Sequence, residues 1–142
     1  GFRSELLDLH AHPRARELIG AGIAKWVAAA ALSKSKGPTV KSAAKSLGIP
    51  AQLVAEVADT LVRNGLLVVS DEGELRPAKP PHELTLADIS VAVGGTVSPG
   101  AGDQTDEKDK GFQPFTAIFA TADEANLAAL RATSWERLVN KS

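Results

Sequence analysis

Cysteine and methionine are both absent from the 142-residue chain, and aromatic residues make up only 4% of it. The lack of cysteine excludes a disulfide frame, a thiolate metal site and a cysteine nucleophile. Translation starts with methionine, so we expect the chain to be a piece of a longer protein. The scarcity of aromatic residues means that the core must rest on Leu, Val, Ile and Ala.

Long hydrophobic runs are also missing. The longest candidate, Ile23 to Leu32, is interrupted by Lys25 just after it begins and falls well short of the about 20 residues that span a bilayer. Hydrophobic residues at 44% and charged residues at 23% are typical of a soluble globular protein of one domain plus tails.

The net charge of −1 conceals an asymmetry along the chain. Residues 1–37 contain six basic and three acidic residues, whereas residues 38–94 contain five basic and seven acidic residues. Positive charge therefore collects at the front of the chain, which is the reverse of what a nucleic-acid-binding central segment needs.

Helical periodicity dominates the first part of the chain. A short helix is expected over Glu5 to His10, and a longer one from about Arg14 to Ser33. Small residues on the longer helix, such as Gly20 and Gly22, allow close packing on its back. Its predicted buried stripe consists of Leu18, Ile19, Ile23, Trp26, Val27, Ala30 and Leu32.

Two further helices and a hairpin follow. Thr39 is a good N-cap for a helix from Val40 to Leu47, which Gly48 ends in a left-handed turn. Pro50 suits the start of a helix that runs to Asn64. Strands over 66–70 and 74–77, joined by the turn 71–73, complete a helix-turn-helix with a wing, and Thr85 caps a helix from Leu86 to Val93.

The predicted fold class is mainly α: a winged helix-turn-helix with a short two-stranded wing and a returning C-terminal helix. The predicted divisions are a winged-helix domain with N-terminal helices over 1–95, a flexible linker over 96–111, and a helical tail over 112–142. We expect the tail to pack on the same domain or on a second copy. Its apolar set is Phe115, Ile118, Phe119, Ala122, Leu127 and Leu130, and Ser134 caps a last helix that carries Trp135.

The outward residues of the helix-turn-helix form the candidate binding face. Affinity for DNA depends mostly on Lys and Arg set against phosphates, but this face carries acidic residues, as does the wing at Asp71, Glu72 and Glu74. Nucleic-acid binding is therefore disfavoured, and a protein partner or a homodimer is the preferred interpretation. The face consists of Lys41, Lys45, Ala51, Gln52, Ala55, Glu56, Asp59 and Arg63.

No catalytic constellation stands out, and we expect no catalysis by this chain. His10, His12 and His82 have neither a cysteine nor an acidic cluster to complete a metal site, so surface positions are expected for them. No glycine loop of the kind that cradles phosphates is present, and the sequence indicates neither a metal nor a cofactor.

The segments GPTVKSAAKSLGIPAQLVAEVADTLVRNGLL, RPAKPPHELTLADI and ANLAALRATSWERLV resemble the C-terminal cytoplasmic tail of the YihY/BrkB family of polytopic inner-membrane proteins, often labelled ribonuclease BN-like. This resemblance implies a non-catalytic protein-interaction or regulatory module on the cytoplasmic side of a bacterial inner membrane. A preceding part of the parent protein would attach it to the membrane, with Arg3, Arg14, Arg16 and Lys25 just inside.

The segment PPHELTLADISVAVGG after the wing is also similar to Rrf2-type transcription regulators. That resemblance implies a cytoplasmic protein that binds DNA as a dimer. The wing, VVSDEGELRP, lacks the Arg-Gly and Gly-Gly-Tyr residues that Rrf2 wings bring to DNA, and the cysteine set that holds an iron–sulfur cluster in many members is missing.

Overall fold

The structure, a computed structural model, describes residues 14–94 and 114–140. The predicted helix over Glu5 to His10, with His10 and His12, and the predicted linker over 96–111 lie outside the described residues. The elements in chain order are α1 (Ala15–Leu32), α2 (Val40–Leu47), α3 (Ala51–Arg63), β1 (Leu67–Val69), β2 (Leu75–Pro77), a 3-10 helix (Pro81–Glu83), α4 (Leu86–Val93), α5 (Phe115–Arg131) and α6 (Trp135–Asn140). The predicted fold class, a mainly α winged helix with a two-stranded wing, is confirmed.

Local capping explains where the helix-turn-helix begins and turns. The Thr39 hydroxyl accepts the Ser42 N–H at 3.1 Å, and the Ser42 hydroxyl accepts the Thr39 N–H at 2.8 Å, so two otherwise unbonded donors are satisfied reciprocally. Gly48 ends α2 with φ 70°, a left-handed conformation that glycine adopts without a side-chain penalty. These features confirm the predicted bounds of α2.

The wing is a short antiparallel hairpin with a third segment beside it. The strands are shorter than predicted: Val69 pairs with Leu75, and the Ser70 N–H donates to the Glu74 carbonyl at 2.9 Å just beyond the strand ends. The Leu75 N–H donates to the Pro38 carbonyl at 2.7 Å, which places residues 37–38 along β2. A Cβ on Gly37 would lie 2.3 Å from the Leu75 carbonyl oxygen, so this close approach requires glycine.

Helix α1 lies at the centre of the core, but with a different face inward from the one predicted. Leu18, Trp26 and Leu32 are exposed, so their predicted burial is wrong. A Cβ on Gly20 would lie 2.6 Å from Ile89 Cγ2, which shows that α4 packs directly on the small residues of α1. This close packing rotates the buried face of α1 towards Ile19, Gly20, Ile23, Ala24, Val27 and Ala28.

The C-terminal helices meet the rest of the protein differently. Helix α6 packs against α1 and the 3-10 helix, whereas α5 packs mainly against α4. The predicted cap of α6 is confirmed, because the Ser134 hydroxyl accepts the Arg137 N–H at 3.2 Å. None of the described helices combines the length and apolar character that crossing a membrane requires.

Candidate nucleic-acid interface

The predicted binding face is exposed as a whole. Helix α3 buries Val54, Val57, Ala58 and Leu61 against the core, which leaves its opposite side open to solvent. The structure thus brings the predicted residues of α2 and α3 onto the surface of one helix-turn-helix, and their role in binding stays a prediction. The exposed residues are Lys41, Lys45, Ala51, Gln52, Ala55, Glu56, Asp59 and Arg63.

The two halves of α3 differ in chemistry. At its C-terminal end, Asp59 Oδ2 lies 3.1 Å from Arg63 Nε, so one acidic charge is paired within the helix. At its N-terminal end, the exposed Gln52 lies between the small exposed residues Ala51 and Ala55, with Glu56 one turn further on. A glutamine in this setting can make two hydrogen bonds to an adenine edge in a major groove.

Glu74 does not belong to the acidic surface of the wing, contrary to the sequence-based expectation. It is buried, and its Oε1 accepts the Gly37 N–H at 2.9 Å. The Ser70 hydroxyl accepts the Glu74 N–H at 3.1 Å. Glu74 therefore holds the wing against the segment that precedes α2, while Asp71 and Glu72 remain exposed at the tip.

Some of the basic side chains near the wing come from residues 34–36, which belong to the basic front part of the chain and not to the segment 38–94. Lys34 and Lys36 follow α1 and, with Thr39 and Arg76, line an open cleft of about 600 Å³ that Glu72 and Glu74 also reach. The sequence offers no signal for this arrangement, because residues 34–36 and the wing are brought together by the Leu75–Pro38 hydrogen bond. The interface thus has more positive charge available than residues 38–94 alone supply.

A second exposed surface lies on α5. Phe115, Ile118 and Phe119 are 57%, 59% and 61% exposed, and they recur at helical spacing on one side of the helix. We call these three residues the apolar face of α5. Exposed clusters of large apolar side chains are a feature of interaction surfaces.

The described residues hold no group of three His, Cys, Asp or Glu side chains that could bind a metal ion. His82 is exposed, and its Nε2 lies 3.9 Å from Glu83 Oε2.

The fold and the exposed helix-turn-helix define the chain as a winged-helix protein. Among solved structures, it is similar to CymR (YrzC), the global cysteine regulator of B. subtilis, with a TM-score of 0.66 at 18% identity over 88% of this chain and 93% of that one. Staphylococcus aureus CymR gives a TM-score of 0.65 at 15% identity, over 87% and 94% of the two chains. T. potens IscR gives 0.65 at 15% identity, over 89% and 85%.

These solved structures are Rrf2-type regulators. The chain is therefore similar in fold to the second of the two families that its sequence resembles. No family model matches the chain, and no curated protein matches it either. The resemblance to the YihY/BrkB tail has no support in the comparisons.

Proposed function

We propose that the chain is a winged-helix transcription regulator of Rrf2-like form that binds duplex DNA as a homodimer. The observation that carries this proposal is the exposed N-terminal half of α3, where small residues flank Gln52 beside the basic residues of α2. The overall likeness to CymR and IscR supports it. The preferred sequence-based interpretation, a protein-contact module, becomes the second candidate.

The revised electrostatics make DNA binding feasible. Two of the acidic groups counted against it are engaged within the chain, Asp59 by Arg63 and Glu74 by the Gly37 N–H. Lys36 joins Lys41 and Lys45 as exposed cations near the helix-turn-helix. Three phosphate contacts from each protomer predict that log Kobs falls against log salt with a slope of about −5 for the dimer.

We assign the apolar face of α5 to a second copy of the chain. The exposed side of this helix continues from Phe115, Ile118 and Phe119 through Ala122 and Ala125 without a charged residue. An uncharged stripe can pair with its own copy about a two-fold axis without charge repulsion. A dimer would also present two copies of α3, which a palindromic DNA site matches.

Selection from a library of random duplexes at low salt tests the DNA-binding proposal, because the operator sequence is unknown. We expect enrichment of a palindrome whose half-sites lie about 10 bp apart. The Gln52→Ala variant should relax the base preference in each half-site. Arg63→Ala, at the other end of the helix, is the control and should leave that preference unchanged. Failure of the unsubstituted protein to enrich any sequence would overturn the proposal.

One observation favours the second candidate, a protein-contact module. Glu56, Asp71 and Glu72 are exposed, and within the described ranges no ion pair engages them. These acidic groups suit a basic protein partner better than they suit a phosphate backbone. Attachment of such a module to the cytoplasmic side of an inner membrane stays a prediction, and sequencing the parent gene upstream of Gly1 would test it.

A further inference from the structure

A second cleft adjoins the cleft of Lys34 and Lys36, shares Lys34 and Arg76 with it, and extends between α1, β2 and the segment after the wing. Its floor is apolar and includes Val27 and Ala30 of α1 together with Leu75 of β2, and its far wall is the segment 77–81, rich in proline. The cleft has a volume of about 580 Å³. This volume lies within the range of about 300–1,000 Å³ that is typical of small-molecule sites.

The rim of this cleft is basic. Lys34, Arg76 and Lys79 line it and no acidic residue does, while Glu72 and Glu74 line the adjoining cleft that shares Lys34 and Arg76. Within the part of the chain that the structure describes, no ion pair engages Lys34 or Lys79. Arg76 has only a distant partner, with its Nη2 3.8 Å from Glu74 Oε1. Three cations around one opening repel each other, so an anion bound there would be favoured.

We propose that this cleft binds a small organic anion, a carboxylate with an apolar body. The apolar floor would accept the hydrocarbon part, and the cations of the rim would hold the carboxylate. Most sites for small molecules share this combination of apolar lining and a few convergent polar groups. The proposal concerns a site apart from α3 and does not depend on DNA binding.

The position of the cleft gives its occupancy a structural consequence. One wall is β2, whose Leu75 also pairs with Pro38 just before α2. A bound ligand would therefore contact α1, the wing and the segment leading to α4 at the same time. Binding should stabilise the wing in its present position against α1, since a ligand favours the state that it binds.

Hexanoate is a suitable probe, and binding is followed by amide chemical shifts of the full chain in NMR titrations. Hexanoate should shift the amides of Ala30, Leu75 and Ala78, whereas hexan-1-ol of the same chain length should bind at least about threefold more weakly. The double variant Lys34→Ala/Lys79→Ala should weaken hexanoate binding about tenfold. The control variant Arg16→Ala removes an exposed cation of α1 that does not line the cleft and should leave binding unchanged.

Three results would overturn the proposal. Equal binding of hexanoate and hexan-1-ol would show an apolar patch without anion recognition. Inorganic phosphate that saturates the same amides as well as hexanoate does would show a simple ion site. A duplex DNA that shifts these amides and displaces hexanoate would assign the cations to the nucleic-acid interface, and DNA binding that leaves them unchanged would keep the two sites separate.

Discussion

Among the described residues, the two C-terminal helices both carry large apolar side chains, but that of Trp135 in α6 is buried whereas those at the start of α5 are exposed. Trp135 of α6 is fully buried, with its indole N–H donating to the Thr85 carbonyl at 3.1 Å. Phe115 and Phe119 of α5 are more than half exposed. The difference shows that an apolar pattern at helical spacing does not by itself determine which helix is buried by the described structure.

Backbone hydrogen bonds attach the start of α6 to the rest of the described structure. The Trp135 N–H donates to the Leu84 carbonyl at 2.8 Å, and the Leu86 N–H donates to the Thr133 carbonyl at 3.0 Å. These bonds join the start of α6 to the segment before α4, so α6 is tied to the body. Helix α5 meets the other described elements mainly through α4, and its apolar face is exposed.

The largest effect is expected from Trp135→Ala. Truncating this fully buried ring should lower the free energy of unfolding by about 3–5 kcal/mol, since it removes the contacts and leaves a cavity. Thermal unfolding followed by circular dichroism should show a Tm lower by at least about 10 °C. Trp26→Ala is the matched control, because Trp26 is 46% exposed and should cost much less. Equal losses in the two variants would show that α6 is not anchored by Trp135.

Phe119→Glu tests the proposed dimer contact through the apolar face of α5. A charge placed in the apolar face of α5 should raise the dimer dissociation constant at least about 100-fold, because each copy would bury it against the other. Sedimentation velocity over a range of concentrations measures the change. Ala117→Glu adds the same charge at an exposed position on the same helix, on the side away from the apolar face, and should leave the dimer intact. A monomeric unsubstituted protein would contradict the assignment of this face to a second copy.

The same contrast occurs among the acidic residues of the wing. Glu74 is covered by Gly37 and the segment before α2, whereas Glu72, two residues earlier, faces solvent. One glutamate therefore holds the wing in place, and the other is available to attract or repel a partner. Neither role follows from the charge alone, because both side chains carry the same carboxylate.

Glu74→Ala should loosen the base of the wing by about 1–2 kcal/mol, since the Gly37 N–H loses its acceptor. Hydrogen exchange at the Gly37 amide should accelerate about tenfold or more. Glu74→Gln keeps an acceptor oxygen and should restore most of the protection, and Glu72→Ala is the control at the exposed position. Unchanged exchange in Glu74→Ala would mean that the Leu75–Pro38 hydrogen bond holds this segment without help from Glu74.

Local chemistry accounts for the parts of the fold that were predictable from the sequence. Thr39, Gly48 and Thr85 act on residues within one helical turn, and the bounds of α2 and α4 were predicted correctly from them. The buried face of α1 could not be predicted in this way. Its orientation depends on Ile89, almost seventy residues away, packing onto Gly20, and a ranking by hydrophobicity favours Leu18 and Trp26 over a glycine.

The candidate site was predictable only in part for a similar reason. Helical periodicity predicted the exposed residues of α2 and α3, because the spacing of the apolar residues within each helix determines which side faces solvent. The burial of Glu74 and the approach of Lys36 to the wing depend on residues 37–38 lying beside β2. A hairpin pattern contains no information about such a third segment, so the wing is less acidic at its surface than its sequence predicts.

The smallest effect is expected from Glu72→Gln, and it rests on the proposed binding to DNA. Glu72 is exposed at the tip of the wing, and a wing that approaches a phosphate backbone would bring this carboxylate near like charge. Neutralising it should strengthen binding about two- to fivefold at low salt, and the gain should shrink as salt screens the repulsion. Fluorescence anisotropy with the selected duplex measures the change.

Glu83→Gln is the matched control, because it removes the same charge from outside the wing. Glu83 belongs to the 3-10 helix, which packs against α6. Equal gains in both variants would indicate that only net charge matters. A loss of affinity confined to Glu72→Gln would place this carboxylate in a favourable contact, such as acceptance of a hydrogen bond from a cytosine amino group.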